Sequence, residues 1–235
     1  MNASLTDAHP AIHWVGALLS QEETALTPKE IPLFASQDDL DEPIALTDVV
    51  LALYLEGLPS HSHAGGEEVF DSQPLSDAVI GAFALGCAVG LEYPQRVPTI
   101  IEQTHPGAAE QIIEECKGPL TLQVAEARHS AEPMEPEDFV ESLVEALGQG
   151  EHVDGDTAQN ALSMSFEYGC VLAHVERSAA MIVRNAFNRD QETGVRDYES
   201  GESTDMPAGP DPYQSLQELA KEIVTAYEAD IGFWP

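Results

Sequence analysis

A short phrase, Phe-x-x-Gly-Cys, occurs twice in this sequence and restricts the possible fold more than any other feature. It stands at residues 83–87, within the most apolar stretch of the chain, and again at residues 166–170. No proline follows the start of either surrounding segment, 71–93 or 154–176, so each is predicted to be a helix of about five turns. Glycine and cysteine are small, and their position in mid-helix predicts that the two helices approach each other closely.

The segments upstream of the repeated phrase also match each other. The stretch TDVVLALYLEGL at 47–58 aligns with EDFVESLVEALG at 137–148. The later copy has an apolar stripe at helical spacing, and the earlier copy is apolar on all sides, which predicts a buried helix. We therefore predict a divergent internal duplication, in which two helix pairs related by a pseudo-twofold axis share one core. The alternative is a chance resemblance between two helical stretches.

The predicted fold is all-α: a helical bundle made of two divergent helix-hairpin repeats, followed by a C-terminal amphipathic helix. In chain order we expect an N-terminal segment with one short helix (1–43), a first helix-pair repeat (44–118), a bridge (119–134), a second helix-pair repeat (135–187), a flexible linker (188–210) and a C-terminal helix (211–235).

Three local patterns lie behind these boundaries. A short helix is predicted from near Pro106 to Gly118, and alternating apolar residues at 120–124 indicate a short strand after it. The polar segment 188–210 contains three glycines and two prolines, which is typical of a linker. The amphipathic segment after Pro212 is predicted to pack back on the bundle, with docking in a neighbouring subunit as the alternative.

The charge of the chain is strongly negative. There are 42 Asp and Glu residues against 9 Lys and Arg residues, which gives a formal net charge of −33. Three interpretations fit this imbalance: adaptation to a salty cytoplasm, an acidic surface that binds a basic partner, or charge that only maintains solubility. All three argue against direct binding of nucleic acid and against an anionic membrane surface.

The cysteines and the N-terminal residues indicate a cytoplasmic protein. The three cysteines form no Cys-x-x-Cys motif, a pattern that fits a reducing compartment better than a disulfide framework. The N-terminal residues carry no positive charge before their apolar part, so no signal peptide is predicted. The apolar run at 78–91 is too short to span a bilayer.

Two groups of residues are candidate ligands for a divalent transition metal. The first group lies in the longer of the two inter-helix loops and contains His61, His63, Glu67 and Glu68. The second lies on one face of a helix, at positions i, i+3 and i+7, and contains Glu167, Cys170 and His174. The opposing interpretations are a solvated loop in the first case and a packing cysteine beside a core-edge histidine in the second.

Several catalytic motifs are absent from the sequence: it has no Gly-x-Gly-x-x-Gly, no Walker loop, no Gly-x-Ser-x-Gly and no His-Glu-x-x-His. We therefore expect a non-catalytic, acidic, cytosolic protein that binds or regulates another protein, either by self-association or with a basic partner, and that carries no cofactor. The alternatives are a metal-dependent helical enzyme that uses one of the two ligand groups, and a salt-adapted helical protein of unknown role. No catalytic residue is assigned.

Overall fold

The computed structural model of the protein describes residues 44–62, 68–130, 132–200 and 214–230. Within these ranges the chain is predominantly helical, with eight α-helices and one small three-stranded sheet. This confirms the predicted all-α class. The predicted short helix in 1–43 lies outside the described residues.

The secondary-structure elements have the following bounds. The helices are α1 (Leu46–Glu56), α2 (Ser72–Glu92), α3 (Val97–Thr104), α4 (Ala109–His129), α5 (Glu137–Leu147), α6 (Gly155–Val175), α7 (Arg177–Ser200) and α8 (Leu216–Asp230). The strands are β1 (Ser60–Ser62), β2 (Glu68–Asp71) and β3 (His152–Asp154), and they pair antiparallel in the order β1-β2-β3. A 3₁₀ turn at Pro94–Arg96 connects α2 to α3.

Helices α2 and α6 are the two predicted central helices, and they make the most extensive helix–helix contact in the described fold. A Cβ atom at Gly86 would overlap the backbone oxygen of Phe166, and a Cβ atom at Gly169 would overlap the backbone oxygen of Phe83. The two backbones can meet only because both positions are glycine. The predicted close approach is confirmed.

The two upstream helices bury apolar surface in the way their sequences predict. In α1 the apolar residues are all buried, with Leu46, Val49 and Ala52 at 0% exposure. In α5 the apolar stripe contributes Phe139 and Leu147 to the core, while the opposite face meets solvent. Since β2 directly precedes α2 and β3 directly precedes α6, pairing of these strands connects the two inter-helix loops.

The predicted strand at 120–124 is wrong, because α4 continues without a break from Ala109 to His129. Leu120 and Val124 are 0% and 1% exposed, whereas Leu122 between them is 60% exposed. Burial at positions i and i+4 but not at i+2 follows the helical period. The prediction assigned the strand period of two to these residues instead. Much of the expected bridge at 119–134 is therefore helix, with Pro119 inside it.

Helix α7 is also longer than expected. It runs to Ser200, so residues 188–200 of the expected linker are helical. Ala179, Ala180 and Val183 are fully buried, because the first turns of α7 pack against α2. The polar residues between this packed part and Ser200 include no proline. Since the packing stabilises the first turns, the helix can continue through them. The rest of the expected linker, 201–210, lies outside the described residues.

Helix α8 packs back on the bundle of its own chain, as predicted. Leu219, Ile223 and Tyr227 are at most 3% exposed. The Tyr227 hydroxyl donates a hydrogen bond of 2.7 Å to the backbone oxygen of Ile44 and accepts one of 3.0 Å from Nε2 of Gln103. The first bond attaches α8 to the residues just before α1, and the second attaches it to α3.

Within the described residues, α2 alone is long and apolar enough to cross a membrane by length and composition. Its 21 residues include the shorter apolar run seen in the sequence, and most of this helix is buried inside the protein. This helix is the centre of the core, where an all-round apolar sequence is expected.

Candidate functional site

An apolar cavity of about 560 Å³ lies between α4, α5 and α6. Its volume is in the range of small-molecule and side-chain binding sites, which is roughly 300–1,000 Å³. Three residues of the apolar stripe of α5, Phe139, Val140 and Leu143, line the cavity. The apolar lining consists of Ile112, Phe139, Val140, Leu143, Met164 and Val171.

A buried carboxylate, that of Glu167, lies in the wall of this cavity. Glu167 is only 7% exposed. Its Oε1 atom accepts a hydrogen bond of 2.5 Å from the Thr104 hydroxyl, and its Oε2 atom lies 2.8 Å from Nε2 of His105. Both partners stand at the end of α3, so Glu167 ties α3 to α6. Among the described residues that line the cavity there is no lysine and no arginine.

Two further groups in the cavity wall are held in their neutral forms. The Tyr168 hydroxyl donates a hydrogen bond of 3.0 Å to Oε1 of Gln123, and burial, followed by the nearby Cys116, raises the pKa of Tyr168 to about 12. Burial also raises the pKa of the Cys116 thiol, and the negative charges of Glu115 and Glu167 raise it further. A thiol with a raised pKa is protonated at neutral pH and is a poor nucleophile.

Ser165 in α6 contributes a hydroxyl that has no partner. It lines the cavity and is 1% exposed, and its Oγ atom makes no hydrogen bond within the described structure. Buried hydroxyl groups in proteins are nearly always hydrogen-bonded, and a serine in a helix can bond to the carbonyl four residues earlier. The Oγ atom of Ser165 is itself buried, so it is an unpaired polar atom behind the cavity wall.

A second depression, the acidic recess, adjoins the apolar cavity between α4 and α5. It has a volume of about 390 Å³ and shares Gln123 and Phe139 with the cavity, so the two lie side by side, and we refer to them together as the groove. Its lining contains four carboxylates and, among the described residues, no basic side chain. The four are Glu126, Glu132, Asp138 and Glu141.

The carboxylates near the recess affect one another. Asp138 accepts a hydrogen bond of 3.0 Å from the backbone N–H of Glu135 at the start of α5. Burial raises the pKa of Glu135, and Asp190 raises it next, while Arg189 opposes the shift. One carboxylate oxygen of Glu135 is buried without a hydrogen-bond partner. Negative charge is therefore crowded at this end of the groove.

The predicted helix-face ligands do not meet in one site. Cys170 is fully buried against α2, and its pKa is raised well above the ordinary value by burial, then by Cys87 and Glu167. Glu167 is bonded to the end of α3, as described above. His174 is exposed at the far end of α6.

Only two of the four predicted loop ligands, His61 and Glu68, lie within the described residues. His61 is exposed, and its Nε2 atom lies 3.2 Å from Oδ1 of Asp71, which also lies 3.1 Å from Nδ1 of His152. Glu68 belongs to β2, whereas His63 and Glu67 lie outside the described residues. In the described part of the chain, no three His, Cys, Asp or Glu side chains are arranged to hold a metal ion.

Sequence reasoning missed most of the residues that form the groove. His105 stands in a Glu-x-x-His spacing with Glu102 that is interpreted as coincidence, because prolines bracket it, and Ser165 stands in no recognisable motif. One signal was present: Glu167 occupies the position that matches the apolar Ala84 in the earlier copy of the repeated phrase. A carboxylate at a buried position where the other copy has an apolar residue points to a local polar environment.

Comparisons with protein-family models, with curated proteins and with solved structures found no match to this chain.

Proposed function

We propose that this chain is a non-catalytic, cytoplasmic protein-binding protein whose groove engages a basic amphipathic segment of a partner protein. The observation that carries the proposal is the position of an apolar cavity beside a recess lined by four carboxylates. An amphipathic helix or strand with lysine beside leucine presents both kinds of surface at the same spacing. The net charge of −33 attracts such a partner from a distance.

The rim of the cavity supports binding by a partner segment. Met164 lines the cavity and is 61% exposed. Methionine is flexible and polarisable, and it is frequent at protein surfaces that accept varied apolar side chains. An exposed methionine beside an apolar cavity is therefore better suited to a binding groove than to a closed core.

A basic partner is favoured over a second copy of the chain. Two copies would each bring a net charge of −33 to the interface, and the acidic recess would meet another acidic surface. Catalysis is less well supported than binding, because burial keeps the Cys116 thiol protonated. The three cysteines are all free, which supports a reducing compartment.

The internal duplication remains part of the proposal. Two observations support it: the reciprocal overlap positions, in which Gly86 faces Phe166 and Gly169 faces Phe83, and the pairing of β2 with β3 at equivalent places before α2 and α6. A duplicated helix pair would place its two copies face to face in this way.

The test of the groove uses a fluorescein-labelled synthetic helix of about 14 residues, with leucine on one face and lysine on the other. Fluorescence anisotropy at about 0.15 M KCl gives its affinity for the full chain. We expect Met164→Asp to weaken binding ~10-fold or more, because the charge would enter the apolar contact.

Ile182→Asp is the matched control. Ile182 is 44% exposed on α7, does not line the groove, and acquires the same single negative charge. Its variant should bind the peptide as tightly as the unmodified protein does. Equal affinities for the two variants would mean that the peptide binds by net charge alone, and the proposed groove function would be lost.

A further inference from the structure

We infer that the segment 231–235, which follows α8, occupies the apolar cavity of its own chain through Trp234, and that a partner must displace it to bind the groove. The displacement step rests on the proposed function, because the partner's basic segment is the competitor. The segment 231–235 itself lies outside the described residues. Its sequence, the position of α8 and the properties of the cavity support the inference.

The composition of the segment 231–235 suits an apolar site. Its sequence is Ile-Gly-Phe-Trp-Pro, which contains no charged residue, although the whole chain has a formal net charge of −33. Removal of large aromatic side chains from water is strongly favourable. An apolar cavity within reach of this segment is therefore a favourable place for one of its rings.

Helix α8 lies beside α3, and the residue after α3 stands at the cavity. The Tyr227 hydroxyl, near the end of α8, lies 3.0 Å from Nε2 of Gln103. His105 follows Gln103 by two residues and lines the cavity. Consecutive Cα atoms are about 3.8 Å apart, so the Cα atoms of Gln103 and His105 lie within about 8 Å of each other. The segment 231–235 can extend about 16 Å, which is twice that distance.

The size of the cavity favours a large side chain. Its volume of about 560 Å³ is more than three times the roughly 150 Å³ of an engineered cavity that binds benzene. Neighbouring residues of an extended segment point to opposite sides, so Phe233 and Trp234 do not enter together. We assign Trp234 to the cavity, because the larger ring leaves less of the apolar wall without contacts.

The walls of the cavity favour an aromatic ring over an aliphatic side chain. Phe139 and Tyr168 line it, and both pack on Phe83 behind them, with ring centroids 5.5 Å and 6.0 Å apart. Met164 and Cys116 add two sulfur atoms to the lining. Ring–ring and sulfur–ring contacts are favourable beyond the area they bury. An aromatic occupant therefore gains contacts that an aliphatic occupant of equal area does not.

The acidic recess explains how a partner can displace the segment. Because the segment 231–235 is attached to α8, its effective concentration at the cavity is of the order of millimolar. It has no basic side chain and gains nothing from the four carboxylates of the recess. A partner with lysine beside its apolar residues does gain from them, and this gain offsets the advantage of the attached segment.

The first experiment measures the competition. The leucine-and-lysine helix used to test the groove is titrated into the full chain, and fluorescence anisotropy gives its affinity. Trp234→Ala should raise the affinity ~10-fold, because the peptide no longer displaces an attached competitor. Trp14→Ala is the matched control, since it removes the other of the two tryptophans and should leave the affinity unchanged. An unchanged affinity in Trp234→Ala, or an equal rise in both variants, would overturn the inference.

The second experiment observes Trp234 directly. Trp14→Phe leaves Trp234 as the only tryptophan, so its fluorescence emission reports on its surroundings. The emission should lie at shorter wavelengths than that of N-acetyltryptophanamide in water, and saturation with unlabelled peptide should move it to longer wavelengths. Emission typical of water, or emission that does not respond to the peptide, would show that the cavity is not the site of Trp234.

Dilution distinguishes the chain's own segment from that of a second copy. An attached segment occupies the cavity at any protein concentration, so the emission should be the same at ~50 µM and ~1 µM protein. A shift to longer wavelengths on dilution would place Trp234 in the cavity of a second copy, and the assignment to the same chain would be wrong.

The inference and the proposed function can fail separately. If Trp234→Ala leaves the peptide affinity unchanged while Met164→Asp still weakens the peptide, the inference fails and the proposed groove function stands. If Met164→Asp moves the Trp234 emission to longer wavelengths but does not affect the peptide, Trp234 occupies the cavity and the proposed groove function fails.

Discussion

Gly86 leaves the space that the backbone carbonyl group of Phe166 occupies, since a Cβ atom at position 86 would overlap the oxygen. In the same way, Gly169 on α6 leaves space for the backbone oxygen of Phe83 on α2. Backbone atoms cannot move aside as a flexible side chain can. The contact of α2 with α6 therefore depends on two glycines. Each of the other described helices packs against one or both of these two.

The first prediction concerns this contact. Gly86→Ala should lower the free energy of unfolding by about 3 kcal/mol, because the added methyl group forces the two central helices apart. Unfolding in urea, followed by circular dichroism, measures the change. Gly118→Ala in α4 is the control, since nothing lies within 4 Å of a Cβ atom there. That control should change stability by less than about 1 kcal/mol. Equal effects at both positions would contradict the packing argument.

The second prediction concerns the acidic recess. Replacing Glu126 and Glu141 together by glutamine should weaken the leucine–lysine peptide ~10-fold at low salt and much less at about 1 M KCl, because exposed charges are screened there. Replacing Glu145 and Glu151, which are exposed but do not line the groove, removes the same charge elsewhere. The affinity of this control should fall far less. A common decrease for both pairs would mean that the recess has no special role.

The third prediction concerns the N-terminus of α6. Asp154 accepts hydrogen bonds from the backbone N–H of Thr157 at 2.9 Å and from its hydroxyl at 2.8 Å, and the backbone bond is the main cause of its lowered pKa. Because the folded pKa lies below the unfolded value of about 3.9, this stabilisation is present above pH ~4 and is lost as pH falls through the folded pKa. Asp154→Asn should keep most of the cap and lose this pH dependence.

The measurement for Asp154 is urea unfolding at several values of pH between about 2.5 and 6. The difference in stability between the unmodified protein and Asp154→Asn should shrink steadily as pH decreases. Asp154→Ala should cost about 1 kcal/mol at neutral pH, where the unmodified cap is charged. A difference that stays constant across the range would show that the Asp154 charge adds nothing to the cap.

The fourth prediction concerns the net charge of −33. Raising KCl from about 0.05 M to 1 M should raise the melting temperature by ~5 °C, because the Debye length falls to about 3 Å and repulsion among carboxylates is screened. Circular dichroism against temperature measures it. A rise that continues well above about 1 M KCl would support the salt-adapted alternative. An unchanged melting temperature would mean that charge repulsion contributes little to the stability of this fold.

The helices that could be read from the sequence are those with a strong local signal. The repeated glycine and cysteine positions predicted the close contact of α2 with α6, and the apolar stripe of α5 predicted a helix with one buried face. The prediction failed where a few apolar residues fit both the strand period and the helical period. Leu120, Leu122 and Val124 fit a strand as well as a helix, and only the burial of the first and third decides for the helix.

The groove could not be predicted in the same way. Glu167 carries a sequence signal, but its meaning depends on Thr104 and His105, which reach it from another helix. Ser165 becomes notable only when its surroundings show a buried hydroxyl without a partner.

The sequence by itself determined the helical class, the central helices and the negative charge, because periodicity, small residues and composition act locally along the chain. The tertiary structure alone decided which apolar faces remain open, which carboxylate is buried and which hydroxyl has no partner. Those properties arise from contacts between residues far apart in the chain, and a local pattern does not specify how helices cross.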